Sequence, residues 1–440
     1  MRVGIIGGGV TGLTAAYQLG KQGYQVDVFE SAPFLGGQAS TFNVGGGKLE
    51  RGYHHIFMSD YHLVELIQEL GLEPRLRWIE SSMGFYHAGR TWQFGSPYDL
   101  ANFRPLSVFD RIRLGLVTLY LQKTKNWSKF ENITAKDWLQ SRVGKQPYDI
   151  VWGPMLRGKF GDQYEKVGMV WLWNKMYLRM ASRKRIWDKE QLGYPIGSFS
   201  EIFDALYDRI CTLGGTVSIS SNVQRILVDN DRVSGLEVSS SNKEKEIHHY
   251  DAVISTVPSY VFSRLVPTLP ERYQFQLSNV TYLPAVLMIL VLNQPFTNFY
   301  WLNIADRSIP FVGLIEHTNL IDPAHYGGNH IVYISNYPSI NSDIYTMGGP
   351  ELFEYYIPYL QKINPAFNRS WVVDYHHHKV DAAQPIIGVN YSDKIPNMRT
   401  PIRGVYLANT TQIYPEDRGT NYSVRLGKQA AEFVIEDTTR

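Results

Sequence analysis

The chain has 440 residues, 44 % hydrophobic and 13 % aromatic, which exceeds what one hydrophobic core usually holds and predicts two structural units. A formal net charge of +2 gives no basis for nucleic acid as a partner. The single cysteine, Cys211, excludes an intramolecular disulfide and reads as a small core residue in a reducing, cytoplasmic setting.

The first elements are a β-branched strand, Arg2 to Ile6, a helix from Thr11 to Gln22 with Gly23 as C-cap, and an alternating strand, Gln25 to Glu30. This βαβ order predicts a parallel sheet covered on both faces. Between strand and helix stands Gly7-Gly8-Gly9-Val10-Thr11-Gly12, a G-x-G-x-x-G run in the context its mechanism needs. Gly7 allows the tight turn, Gly9 admits a pyrophosphate close to the backbone, and Gly12 allows close helix–strand packing. Val10 and Thr11 open the helix, whose free N–H groups and positive dipole end suit phosphates. Glu30 closes the second strand, where a carboxylate can accept from ribose hydroxyls.

No apolar run of about 20 residues follows, and Val3-Gly4-Ile5-Ile6 ends at glycines without a cleavage-like site, so neither a membrane span nor a signal peptide is expected. From about Phe57 to Tyr194 helices dominate, including Val108 to Leu121 and Met169 to Met180. Phe109, Ile112, Leu116, Leu119 and Tyr120 form one stripe beside Arg111, Arg113, Lys123 and Lys125. Trp171, Trp173, Tyr177 and Met180 form another, near Arg179, Arg183, Lys184 and Arg185. Both read as core; the alternative is a basic, aromatic rim resting peripherally on a membrane surface. The oligomeric state is not legible.

Residues 195–265 return to α/β texture, with a helix at Phe199 to Leu213 and strands near Thr216, Asn222, Val233 and Asp251. Ala285 to Leu292 reads as a buried strand. Adjacent histidines in a strand point to opposite faces, so His376-His377-His378 predicts no metal site. A strand at Gly404 to Ala408 and a helix from about Thr420 to Ile435 close the chain, joined by the polar loop Tyr414 to Tyr422. Thr420 or Asn421 reads as the N-cap of that helix.

NAD and FAD share the glycine fingerprint. Leu35-Gly36-Gly37-Gln38, then Glu50-Arg51-Gly52-Tyr53-His54-His55, and finally Leu407-Ala408-Asn409-Thr410 before an Ala-bearing helix, follow it in order. This ordering resembles the flavin-containing amine oxidase superfamily, with its protoporphyrinogen oxidases, phytoene-type desaturases and UDP-galactopyranose mutases. The resemblance implies non-covalent FAD in an α/β, Rossmann-type domain made of residues 1–56, 195–265 and 376–440. An interleaved mixed α+β substrate domain would comprise 57–194 and 266–375. It implies that Gly36, Gly37 and Gln38 lie along the pyrophosphate, and that Tyr53, His54 and His55 lie beside the isoalloxazine. Val223 would meet the adenine through its backbone. Asn409 and Thr410 would approach the ribityl chain, and Gly419, Thr420, Asn421 and Tyr422 the flavin N1–C2=O edge.

Two positions depart from the family pattern. Gln38 stands where a basic residue is usual, and Asn409-Thr410 replaces Gly-Asp; Glu416 or Asp417 could substitute for that carboxylate. Within this frame His54 and Arg418 are the candidate catalytic residues. The strand Ala285 to Leu292 lacks the lysine typical of amine oxidation, which favours oxidase or desaturase chemistry on an apolar or amphipathic small molecule. A UDP-galactopyranose mutase-like isomerisation is the alternative, using cations such as Arg157, Lys159, Arg179 and Arg418.

Overall fold

The first strand, Arg2–Ile6, is β-branched and buried on both sides, as the centre of a parallel sheet requires. In the computed structural model, which describes residues 1–181, 190–239 and 244–439, it is the third of five parallel strands. Their order is Thr216–Ser218, Gln25–Phe29, Arg2–Ile6, Ala252–Ser255 and Val405–Leu407. The sheet thus gathers segments from both ends of the chain. Helices Val10–Lys21 and Thr420–Thr439 pack together, with no room for a side chain at Gly427, whose Cβ would stand 2.5 Å from the Thr11 carbonyl oxygen.

A three-stranded antiparallel sheet, Asn222–Asp229, Arg232–Ser239 and Lys245–His249, lies beside the first. Its first hairpin turns at Asn230 and Asp231, both at positive φ, the backbone that a two-residue type I′ turn demands. Val223 packs inward with Ile6 and Phe29.

The third sheet has seven mixed strands around Tyr282–Leu292, which is buried almost throughout, as its apolar run predicts. One face packs against Leu352, Tyr356 and Leu360 of helix Gly349–Ile363; the other turns Leu287 toward a central cavity. Its edge strand, Val372–Pro385, crosses the expected domain boundary at 375/376, and we propose moving that boundary beyond Pro385.

Between residues 97 and 181 lies a helical layer whose core holds Leu114, Leu121, Trp138, Trp152, Trp171 and Trp173. The stripe of Trp171 and Trp173 is therefore core; Arg183, Lys184 and Arg185, and the side chains of Arg179 and Met180, lie outside the described residues. The other stripe is not core. Helix Val108–Lys123 buries Leu114 and Leu121 and leaves Phe109 at 71 % and Leu116 at 62 % exposure. Cys211 is also exposed, because helix Ser200–Thr212 turns Ile202, Phe203, Leu206 and Ile210 inward and Cys211 away from them. Among the described residues no helix is long and apolar enough to cross a membrane.

Candidate active site

At the C-terminal edge of the parallel sheet the backbone turns sharply at Gly7, with φ +107°. A Cβ at Gly12 would stand 2.0 Å from the Gly7 carbonyl oxygen, so helix and strand approach as closely as only glycine permits. Gly9 caps helix Val10–Lys21 without a side-chain hydrogen bond, leaving the first turn at Val10 and Thr11 to a ligand. The loop carrying Gly36 and Gly37 lies against this turn. Gly36 donates its N–H to the Gly8 carbonyl at 2.9 Å, and Gly9 bridges Gly36. The Glu30 carboxylate is held by the Gly8 N–H at 2.7 Å and the Ala32 N–H at 2.8 Å.

Gly37 also lines a cavity of about 620 Å³. Of the residues singled out from sequence, Gln38, Tyr53, His54, His55, Arg418, Gly419, Thr420, Asn421 and Tyr422 line it as well. Its walls are largely apolar, with Leu156, Trp171, Met176, Leu287 and Trp301. Val223, Asn409 and Thr410 stand apart from it: Val223 on the antiparallel sheet, the other two in the loop after strand Val405–Leu407.

One end of the cavity is charged. Lys175 of helix Met169–Ala181 places Nζ 2.7 Å from Asp417 Oδ2, and Lys159 of helix Gly153–Phe160 lies 3.6 Å from the same oxygen. Arg418 is fixed by three hydrogen bonds. Its Nε donates to Gln384 Oε1 at 2.7 Å, Nη1 to Gln38 Oε1 at 3.3 Å and Nη2 to the Tyr337 hydroxyl at 3.3 Å. Three cations converge on the Asp417 carboxylate, and Asp60, within the field of Lys175, and Glu190 line the same cavity. Burial alone would push the Asp417 carboxyl up, but Lys159, Lys175 and Arg418 hold it well below the usual range. Burial would likewise raise the Tyr337 phenol; Lys159 and Arg418 bring it below its ordinary value instead. Burial pulls the His54 imidazole down to about 4, assisted by the charges of Arg418 and Lys159. His54 is therefore neutral at pH 7; its Nδ1 donates to the Gly52 carbonyl at 2.6 Å, which leaves Nε2 as an acceptor.

Several of the residues expected at the cofactor have protein partners instead of free polar groups. The Gln38 amide donates to the Ala382 carbonyl at 2.9 Å while its oxygen accepts from Arg418. Asn409 donates to Val257 O and Ser259 Oγ, which follow strand Ala252–Ser255, and accepts from Thr411 in its own loop. Asn421 does not cap the last helix; its Oδ1 accepts from the Leu63 N–H at 3.1 Å and ties helix Tyr61–Glu69 to it. Glu416 is taken up by a two-pronged pair with Arg425, both bonds 2.8 Å.

Lys175, Tyr337, Gln384 and Arg51 were not among the residues singled out. Arg51 lies over Phe34, at the start of the Gly36–Gly37 loop, with its Nε buried and without a hydrogen-bond partner. Lys175 carried one signal, a cation four residues, about one helical turn, after Trp171.

An open glycine turn at an uncapped helix, a bridging second glycine loop and an unsatisfied buried guanidinium nitrogen together fit a dinucleotide with its pyrophosphate. The fold and the site define the Rossmann-type dinucleotide-binding class. The sequence matches the family described as flavin containing amine oxidoreductase over residues 10–435, and the chain belongs to that family, whose members are oxidoreductases with a flavin cofactor. It is 22 % identical to the chloroplastic/chromoplastic 15-cis-phytoene desaturase of an Oncidium hybrid cultivar, over 99 % of this chain and 78 % of that one. It is 22 % identical to coproporphyrinogen III oxidase of Staphylococcus aureus (strain NCTC 8325 / PS 47), over 59 % of this chain and 61 % of the relative. The fold superposes on cyclohexylamine oxidase from Brevibacterium oxydans IH-35A with TM-score 0.75 and 18 % identity, covering 100 % of this chain and 99 % of that one.

Proposed function

We propose that the chain is an FAD-dependent oxidoreductase of the desaturase or porphyrinogen-oxidase kind, removing hydride from an amphipathic small molecule. The observation that carries this reading is the cavity itself. It has apolar walls and a cationic end, and it abuts both the Gly36–Gly37 loop and the first turn of the last helix. Bound FAD would supply the two-electron acceptor; the chain supplies position and charge.

In this reading Gly7, Gly9, Val10, Thr11 and Gly12 hold the pyrophosphate and Glu30 the ribose. Gly36 and Gly37 lie along the same phosphates. Arg51 takes the part that Gln38 cannot, and Thr410 rather than Asn409 meets the ribityl chain. Val223 presents its backbone to the adenine. Gly419, Thr420, Asn421 and Tyr422 offer helix N-terminal amides to the flavin ring. Tyr53, His54 and His55 flank the ring from the other segment. His54 acts as a neutral acceptor, and Arg418, fixed by Gln38, Gln384 and Tyr337, presents its charge without reorganisation. Binding is non-covalent.

A nucleotide-sugar isomerase is the second reading, favoured by the convergence of Lys159 and Arg418. Arg157, also needed for it, instead donates to the Ala305 carbonyl at 3.4 Å. Anaerobic mixing separates the two. Flavin bleaching by phytoene or coproporphyrinogen III alone supports the oxidoreductase. Conversion of UDP-galactopyranose only after dithionite reduction would contradict it.

A further inference from the structure

Helix Val108–Lys123 carries an apolar stripe, Val108, Phe109, Ile112, Leu116, Leu119 and Tyr120, of the kind a surface helix normally turns into the core or onto a partner. It is not buried. Only Leu114 and Leu121, two turns apart, enter the core, while Val108, Phe109, Ile112, Leu116, Leu119 and Tyr120 stand 40–71 % exposed. At 100° per residue these six fall on one side of the helix. They form an apolar strip along 16 residues, about 24 Å of axis. Tyr98, on the neighbouring helix Pro97–Asn102, extends the strip at 74 % exposure.

Within residues 101–130 the exposed charges around the strip carry one sign. Between residues 101 and 130 the exposed ionisable side chains are Arg104, Lys123, Lys125 and Lys129. Asp110, the one carboxylate there, is half-buried and accepts from the Ser107 hydroxyl at 2.7 Å. Glu131, next along, is engaged by Ser392 and Tyr414. A two-fold contact between copies would bring both basic rims into one interface, where like charges repel. An anionic bilayer complements them.

We propose that the outer face of helix Val108–Lys123, with Tyr98, docks on the surface of an anionic lipid membrane, the apolar strip entering the headgroup boundary and the basic rim meeting lipid phosphates. The inner side of this helix packs on Met169–Ala181, which lines the cavity, so the docking face and the cavity belong to one helical layer. The proposal stands independently of the oxidoreductase reading.

The test is co-sedimentation of the full chain with phosphatidylcholine vesicles and with vesicles that also contain phosphatidylserine. The wild type should bind the anionic vesicles at low ionic strength and release in high salt. Phe109→Gln/Ile112→Gln/Leu116→Gln should weaken binding at least tenfold, with circular dichroism and melting temperature unchanged. Each of Lys123→Gln and Lys125→Gln should cost about fivefold. No sedimentation at low salt, equal binding by the triple variant, or equal binding to uncharged vesicles would each overturn it. So would a dimer that the triple variant abolishes in a protein that ignores vesicles, which assigns the face to a second copy.

Discussion

Asp417 Oδ2 receives Lys175 Nζ at 2.7 Å, joining a helix of the aromatic layer to the loop that opens the final helix. The carboxylate is buried and shared with Lys159, so it is the charge on which Lys159, Lys175 and Arg418 converge at one end of the cavity.

Asp417→Asn should therefore destabilise strongly, on the order of 3–5 kcal/mol, because Lys159 and Lys175 are left without a counter-charge. Lys175→Met should cost less, about 1–2 kcal/mol, since Lys159 and Arg418 still hold the carboxylate. Urea denaturation of both variants at constant m-value checks the asymmetry. Equal losses would mean the pair acts symmetrically and that Lys159 and Arg418 do not hold the carboxylate.

Glu50 predicts a pH effect. Its buried carboxyl accepts from the Phe199 N–H at 2.8 Å and from Tyr194 Oη at 3.0 and 2.9 Å, yet burial pushes it up from 4.5 to about 7. A raised folded pKa means that the native state holds the proton longer than the unfolded chain. Stability should be highest below about pH 4.5 as far as this group is concerned, and should fall as pH rises through about 7. Glu50→Gln should flatten the profile between pH 5 and 8, with a difference of up to about 3 kcal/mol. Parallel profiles for wild type and variant would remove Glu50 from the titration.

Two glycines of the same turn, Gly9 and Gly12, behave oppositely. A Cβ on Gly9 meets nothing nearer than Gly37 Cα at 3.8 Å, so Gly9→Ala should fold normally but place a methyl where a pyrophosphate would lie. A Cβ on Gly12 would collide with Gly7 O, so Gly12→Ala should lower the melting temperature even without cofactor. Differential scanning calorimetry with an FAD titration distinguishes loss of binding from loss of fold.

Arg51→Met should weaken FAD binding by roughly 10- to 100-fold, the range for losing a charged hydrogen bond. Gln38→Ala should act less on affinity and more on turnover, because Gln38 positions Arg418. Isothermal titration with FAD, paired with kcat, tests the split; a larger affinity loss in Gln38→Ala would reverse the assignment.

What could be read beforehand was local. The first strand, glycine turn, helix and second strand are contiguous, and each residue's requirement comes from its immediate neighbours. The strand at Ala285–Leu292 was legible because its eight apolar residues, bounded by Pro284 and Pro295, are too few for a buried helix. The cationic end was not, since Lys159, Lys175, Gln384 and Arg418 come from separate elements that meet only after folding. Helix Val108–Lys123 misled for another reason. Its stripe at Phe109, Ile112, Leu116, Leu119 and Tyr120 has the periodicity of a core-facing side, yet the layer packs on the side of Leu114 and Leu121, and periodicity alone does not say which apolar side a neighbour covers. Cys211 likewise followed the outward side of its helix rather than its residue type.

The most direct measurement is release of the chromophore. Heat-denatured, centrifuged protein should leave intact FAD in the supernatant, at about one equivalent per chain, identified by chromatography and mass. A colourless protein that stays apo after FAD addition, or a flavin that remains with the pellet, would contradict non-covalent FAD in the Gly7–Gly12 turn and the cavity beside it.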